Sequence, residues 1–176
     1  MIALCFVIHL LKADSLTVCE ALERSSELDG TMVVIRGEWV TGGEMSELRT
    51  DSCDLSDKEK AVWPRAITLS SPALSDRPLD IKVDRESFVK FREAVTKLLV
   101  PKGGAGEYRI IGTFRGQLQF KRQLRAYRDA YGNRRFLGYG HGGHYPAQLV
   151  CLSVSDPAVE LKPKPANKSV PERQLR

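Results

Sequence analysis

Three observations predict a mostly β domain with two helices. Runs of strand length rich in β-branched and aromatic residues recur along the chain, two segments carry helix-start signals, and one stretch repeats its apolar residues at helical spacing. The 176 residues are enough for one domain with its own core, without a metal or several disulfides. Hydrophobic content of 42% with 28% charged residues fits a globular domain. No apolar run approaches the roughly 20 residues that cross a bilayer, so no membrane span is expected.

Each element follows from local chemistry. In "SLTVCEALERSSELDG", Thr17 stands three residues ahead of Glu20, the capping-box spacing, which predicts a short helix with Val18, Ala21 and Leu22 on one face. "LDG" then makes a turn. "TMVVIRGEWV" reads as a strand from Thr31 to Val40, with Gly37 marking a bulge or bend. Thr41, Gly42 and Gly43 turn into a second strand around Met45 to Thr50, and Ala66 to Ser70 is the third. In "DRESFVKFREAVTKLLV" the spacing of Phe88, Phe91, Val95, Leu98 and Leu99 behind Asp84 as N-cap predicts an amphipathic helix ended by "PKGG". "EYRIIGTF", with Gly112 in it, is the fourth strand, and "AQLVCLSV", Ala147 to Val154, is the fifth.

A helix, three strands, a helix and two strands is the order of the five-stranded oligonucleotide/oligosaccharide-binding (OB) barrel, with its helix between strands three and four. An open α+β sheet with the same element order is the alternative. The expected organisation is an incomplete signal peptide at 1–13, an OB-like barrel at 14–155 and a Pro/Lys-rich disordered tail at 156–176. The first segment, "MIALCFVIHLLKADS", has the length of a signal h-region ending at Ala13 but lacks a positive n-region. The alternative is an N-terminal strand or helix packed on the domain. Export leaves Cys19, Cys53 and Cys151 in an oxidising compartment, with Cys151 in a strand context as a buried thiol and Cys19 with Cys53 as the favoured disulfide. The competing reading is three reduced cysteines in the cytoplasm.

The net charge is +5, and its location matters more than its sum. Between Arg115 and Arg135 stand seven basic residues against one acid, so the remainder of the chain is close to neutral. "FKRQLRAYRDAYGNRRFLGYG" interleaves cations with Phe120, Tyr127, Tyr131, Phe136 and Tyr139, the composition with which single-stranded nucleic acid is bound. Two other readings compete: a solvated hairpin whose aromatics pack on the barrel, and a surface for a protein, glycan or anionic envelope component. The candidate ligand or partner surface comprises Arg122, Arg125, Tyr127, Arg128, Arg134, Arg135, Tyr139, His141, His144 and Tyr145.

"GYGHGGHYPAQLV" sets His141 and His144 in a glycine-rich loop that leads into the fifth strand. Stable zinc sites want three or four protein ligands, and the sequence offers no partners for these two. The glycines suggest instead a backbone needing positive φ or close packing, so a structural loop is expected, with no metal and no cofactor. Nucleophile signatures are absent and no catalytic residue is assigned.

Together, "VCEAL", "LDGTMVVIRGEW", Cys53 after the second strand, "WPRAITL", "IIGTF" and "GYGHGGHYPAQLV" resemble a group of bacterial exported proteins with an OB-like barrel. The resemblance covers most of Val18 to Val154 and implies a fold and an envelope location, in the periplasm or outside the cell. It carries no activity. The long basic segment before the histidine loop departs from that pattern, where shorter connections are usual. The expected function is a non-catalytic binding or adaptor module of the cell envelope. A cytoplasmic protein binding single-stranded nucleic acid is the first alternative, and a metal-dependent enzyme using His141 and His144 is the second.

Overall fold

The computed structural model describes residues 14–42, 45–50, 53, 64–75, 77, 79–102, 107–122, 126–128, 130–132, 134–140 and 143–162. The signal reading at 1–13, Arg125, His141 and the tail beyond 162 lie outside the described residues. Chain order is β1 (Leu16–Thr17), α1 (Val18–Glu23), β2 (Met32–Gly42), β3 (Met45–Arg49), β4 (Ala66–Ser70), α2 (Arg85–Leu99), β5 (Tyr108–Phe120), β6 (Ala126–Arg128), β7 (Arg134–Phe136) and β8 (Ala147–Leu161).

A six-stranded mixed sheet runs β1-β2-β3-β4-β8-β5, and β5 returns to pair with β2. Strands β2, β3, β4, β8 and β5 therefore close a ring, against the open-sheet alternative. The ring is uneven. β4 meets β8 in parallel only from Thr68↔Gln148 to Ser70↔Val150, whereas β5 and β8 pair antiparallel from Tyr108↔Leu161 to Phe120↔Ala147. Ile35 on β2, Leu48 on β3, Ile67 on β4, Leu118 on β5 and Leu149 on β8 are all fully buried, so every ring strand contributes to one apolar interior.

α1 packs Val18, Ala21 and Leu22 against this core. Its capping box forms as the spacing predicts: Glu20 N donates to Thr17 Oγ1 at 3.1 Å and Thr17 N to Glu20 Oε2 at 2.7 Å. That backbone donation holds the Glu20 carboxyl below its ordinary value. Gly37, expected at a bulge, pairs in register with Gly112. Its reason is close approach, since a Cβ there would lie 2.6 Å from Val18 Cγ2.

Asp84 caps α2 as expected, accepting from Ser87 N at 3.2 Å. The same turn is tied to β8, where Val154 N donates to Ser87 Oγ at 3.1 Å and Asp84 N to Leu152 O at 2.8 Å. Of the predicted apolar stripe, Phe91 and Val95 are buried and Phe88 and Leu99 partly so, while Leu98 stays 40% exposed.

Three boundaries move. β2 runs past Val40 through Thr41 and Gly42, expected in the turn, which pair with Ser46 and Met45 of β3. β5 continues from the predicted "EYRIIGTF" to Phe120, and β8 continues to Leu161, so the start of the expected tail at Asp156 is strand. Cys19 and Cys53 are bridged with Cα atoms 5.3 Å apart, fastening α1 to the segment after β3. Cys151 is a free, buried thiol on β8, and burial pushes it up to about 12. No helix among the described residues is long and apolar enough to cross a membrane.

Candidate functional site

The basic segment divides into two environments. Arg115 to Phe120 belong to β5, inside the ring ladder, and only the residues beyond leave it. β6 and β7 then form a two-stranded antiparallel sheet of their own, with Tyr127 opposite Arg135 and Arg128 opposite Arg134. Arg122 and Arg128 are exposed, and Arg128 Nη1 donates to Gly132 O at 2.8 Å across the turn. Tyr131 in that turn is 90% exposed. The hairpin thus holds Arg128 and the backbone of Tyr127, Arg134 and Arg135 in one local unit, with Arg122 ahead of it at the end of β5.

The glycine-rich loop is organised differently. Tyr139 N donates to Tyr145 O at 2.7 Å and Tyr145 N to Tyr139 O at 3.2 Å, closing a small hairpin whose turn is held by Gly143 N donating to Gly140 O at 3.1 Å. Gly140 and Gly143 both sit at φ 68°, the left-handed region that glycine enters without Cβ strain. The loop is built by backbone hydrogen bonds.

Tyr139 and Tyr145, expected on a ligand surface, are core residues. They are 4% and 8% exposed and pack with Ala66 and Met45 in a second small cluster. The cause is an anchor on β3: the Tyr145 hydroxyl donates to Glu47 Oε2, whose carboxylate also receives Arg49 Nε at 2.7 Å. Glu47 is 2% exposed, so these donors offset the cost of burying its charge. Lys121 Nζ lies 4.4 Å from the Tyr139 ring centroid, a cation–π contact over the buried ring. His144 is exposed beside this anchor.

Replacing Tyr145 with Phe removes a donor to a buried carboxylate and is expected to cost about 1–3 kcal/mol in urea unfolding at neutral pH. Burial, then the bond to Glu47, push the Tyr145 phenol from 10.0 up to about 12. The folded state therefore holds this proton more tightly than the unfolded chain. Its contribution is full below pH 10 and is lost as pH rises from 10 towards 12. Tyr145→Phe should flatten that part of the alkaline decline; an unchanged slope would show that the phenol does not contribute to it.

Among the described residues no three His, Cys, Asp or Glu side chains gather as a metal requires. Cys151 packs in the core on β8, as its strand context suggests, and burial raises its thiol. One concavity escaped the sequence reading: a cleft of about 630 Å³ between α2 and the ring, walled by Trp39, Phe88, Phe91 and Phe114. These rings come from β2, α2 and β5, so no local motif announces them; each reads alone as a packing residue. Compared with known families, curated proteins and solved structures, the chain matches none.

Proposed function

We propose that this chain is an exported, non-catalytic binding module of the bacterial envelope, built on an OB-like barrel, which meets an anionic partner through its basic hairpin. The ring of five strands with α2 between its third and fourth members supports the barrel reading. The Cys19–Cys53 bond supports an oxidising compartment.

The observation that carries the function is the β6–β7 hairpin. It pairs with itself rather than with the ring sheet and exposes Arg128, while Arg122 is exposed where the chain leaves β5, and neither is in an ion pair among the described residues. Cations on such an element are available to a polyanion at little cost to the core. The test is titration of the full chain with dextran sulfate at two salt concentrations, comparing wild type with Arg122→Glu/Arg128→Glu. Affinity is expected to fall with salt and about tenfold in the double variant, with an unchanged melting temperature. Equal affinity in both proteins would sink the hairpin as the contact surface.

Tyr131, 90% exposed in the hairpin turn, favours a second reading in which bases of single-stranded nucleic acid stack there. A dT20 oligonucleotide bound more tightly than dextran sulfate, and weakened by Tyr131→Ala, selects that reading.

A further inference from the structure

The cleft between α2 and the ring is separate from the hairpin and has a chemistry of its own. Its volume of about 630 Å³ lies within the roughly 300–1,000 Å³ of small-molecule sites. Trp39 and Phe91 meet edge to face with centroids 5.8 Å apart, and Phe91 meets Phe114 in the same way at 5.8 Å, so the aromatic wall is held by its own packing. The one N–H on that wall is already satisfied, because Trp39 Nε1 donates to Ser46 Oγ at 2.8 Å. The wall therefore asks for apolar contact.

The lining contains a single charged side chain, Arg92 of α2, exposed and in no ion pair among the described residues. A guanidinium stays protonated at any physiological pH and pairs with carboxylates in a two-pronged geometry. An apolar wall with one unopposed cation is complementary to an apolar body ending in one anionic group. A neutral apolar ligand leaves that cation unused, and a cationic one is repelled by it.

We propose that this cleft binds a monocarboxylate with an extended apolar body, of the fatty-acid class, with its chain against Trp39, Phe88 and Phe91 and its carboxylate at Arg92. The apolar body supplies the burial and Arg92 selects the head group. No bond is made or broken. Arg92 and Phe88 lie on α2, and none of the described lining residues belongs to the β6–β7 hairpin, so the two surfaces are tested by separate variants.

Calorimetric titration of the full chain with dodecanoate, dodecanol and dodecyltrimethylammonium, each below its aggregation limit, decides the matter. Dodecanoate is expected to bind one per chain, with dodecanol and the ammonium compound at least about tenfold weaker. Arg92→Gln, a change at an exposed position, should bring dodecanoate down to the dodecanol level and leave dodecanol unchanged. Phe88→Trp, which fills the cleft, should weaken both, with folding confirmed by an unaltered melting curve. The proposal is overturned by saturable binding that Arg92→Gln leaves intact, by equal affinity for the ammonium compound, by binding that survives Phe88→Trp, or by no saturable dodecanoate binding.

Discussion

Reducing the Cys19–Cys53 bond is expected to lower the unfolding free energy by about 4 kcal/mol, a large share of the roughly 5–15 kcal/mol that holds a domain of ordinary stability. The bridge closes a segment with a sequence separation of 34, and loop-closure entropy for that length sets the figure. Local structure at α1 cannot replace it. At six residues the helix is far shorter than the roughly 12–15 at which an isolated helix is even marginal, so it depends on its capping box, on burying Val18, Ala21 and Leu22, and on the bridge. Urea unfolding of wild type with and without reductant, beside Cys19→Ser/Cys53→Ser, measures the effect. The double variant should match the reduced protein and be indifferent to reductant, because Cys151, the free cysteine among the described residues, is buried. A difference below about 1 kcal/mol would mean that the bridge constrains little in the unfolded chain.

What the sequence reveals here is what short-range chemistry dictates. The capping box at Thr17 and Glu20, the N-cap at Asp84 and the strand Ala66–Ser70 appear where spacing and β-branching put them. The second half of β5 is hidden because Gln119, on the face opposite Leu118, is polar yet fully buried, satisfied by Ser75 Oγ at 2.8 Å and Gln148 Nε2 at 2.7 Å. Hydropathy cannot anticipate a partner that distant in sequence. β8 runs past the expected end at Val154 because the Pro/Lys-rich composition that suggests a tail from Asp156 masks Ala158, Val159 and Leu161, which pair with β5. The register shift between Ile111↔Ala158 and Thr113↔Ser155 takes up Asp156 and Pro157 together, with Asp156 at φ 51°, so the missing proline donor falls outside the ladder. Beyond it, Arg109 Nη2 and Glu160 Oε2 pair at 2.7 Å across the continued strands.

The candidate site was legible as composition and illegible as exposure. Tyr139 and Tyr145 sit among glycines, a setting that suggests a surface loop, yet Glu47 on β3 draws Tyr145 inward and the backbone pairing carries Tyr139 with it. Arg122 and Arg128, by contrast, pair with no buried carboxylate among the described residues, and they stay at the surface.

Gly116→Ala is expected to cost about 3 kcal/mol or more, through a clash that no rotamer change can relieve. A Cβ built at Gly116 lies 2.2 Å from Val150 O and 2.9 Å from Val150 C, so the obstacle is backbone. Val150 is fully buried and paired on both sides, to Ser70 of β4 and Gln117 of β5. Moving its carbonyl therefore strains the short parallel junction with β4 together with the long ladder to β5. The register shift between Arg115↔Ser153 and Gly116↔Cys151 brings the chains this close, and a residue without a side chain is what permits it. Gly116 is not among the positive-φ positions, so the cost is steric and separable from backbone preference. Gly42→Ala is the control: a Cβ there meets nothing within 4 Å, and its effect should stay within about 0.5 kcal/mol. Urea midpoints of the two variants measured side by side test the ring directly. If both shifts are small, β5 and β8 do not approach at Gly116 as described and the closure of the ring along that seam fails with it.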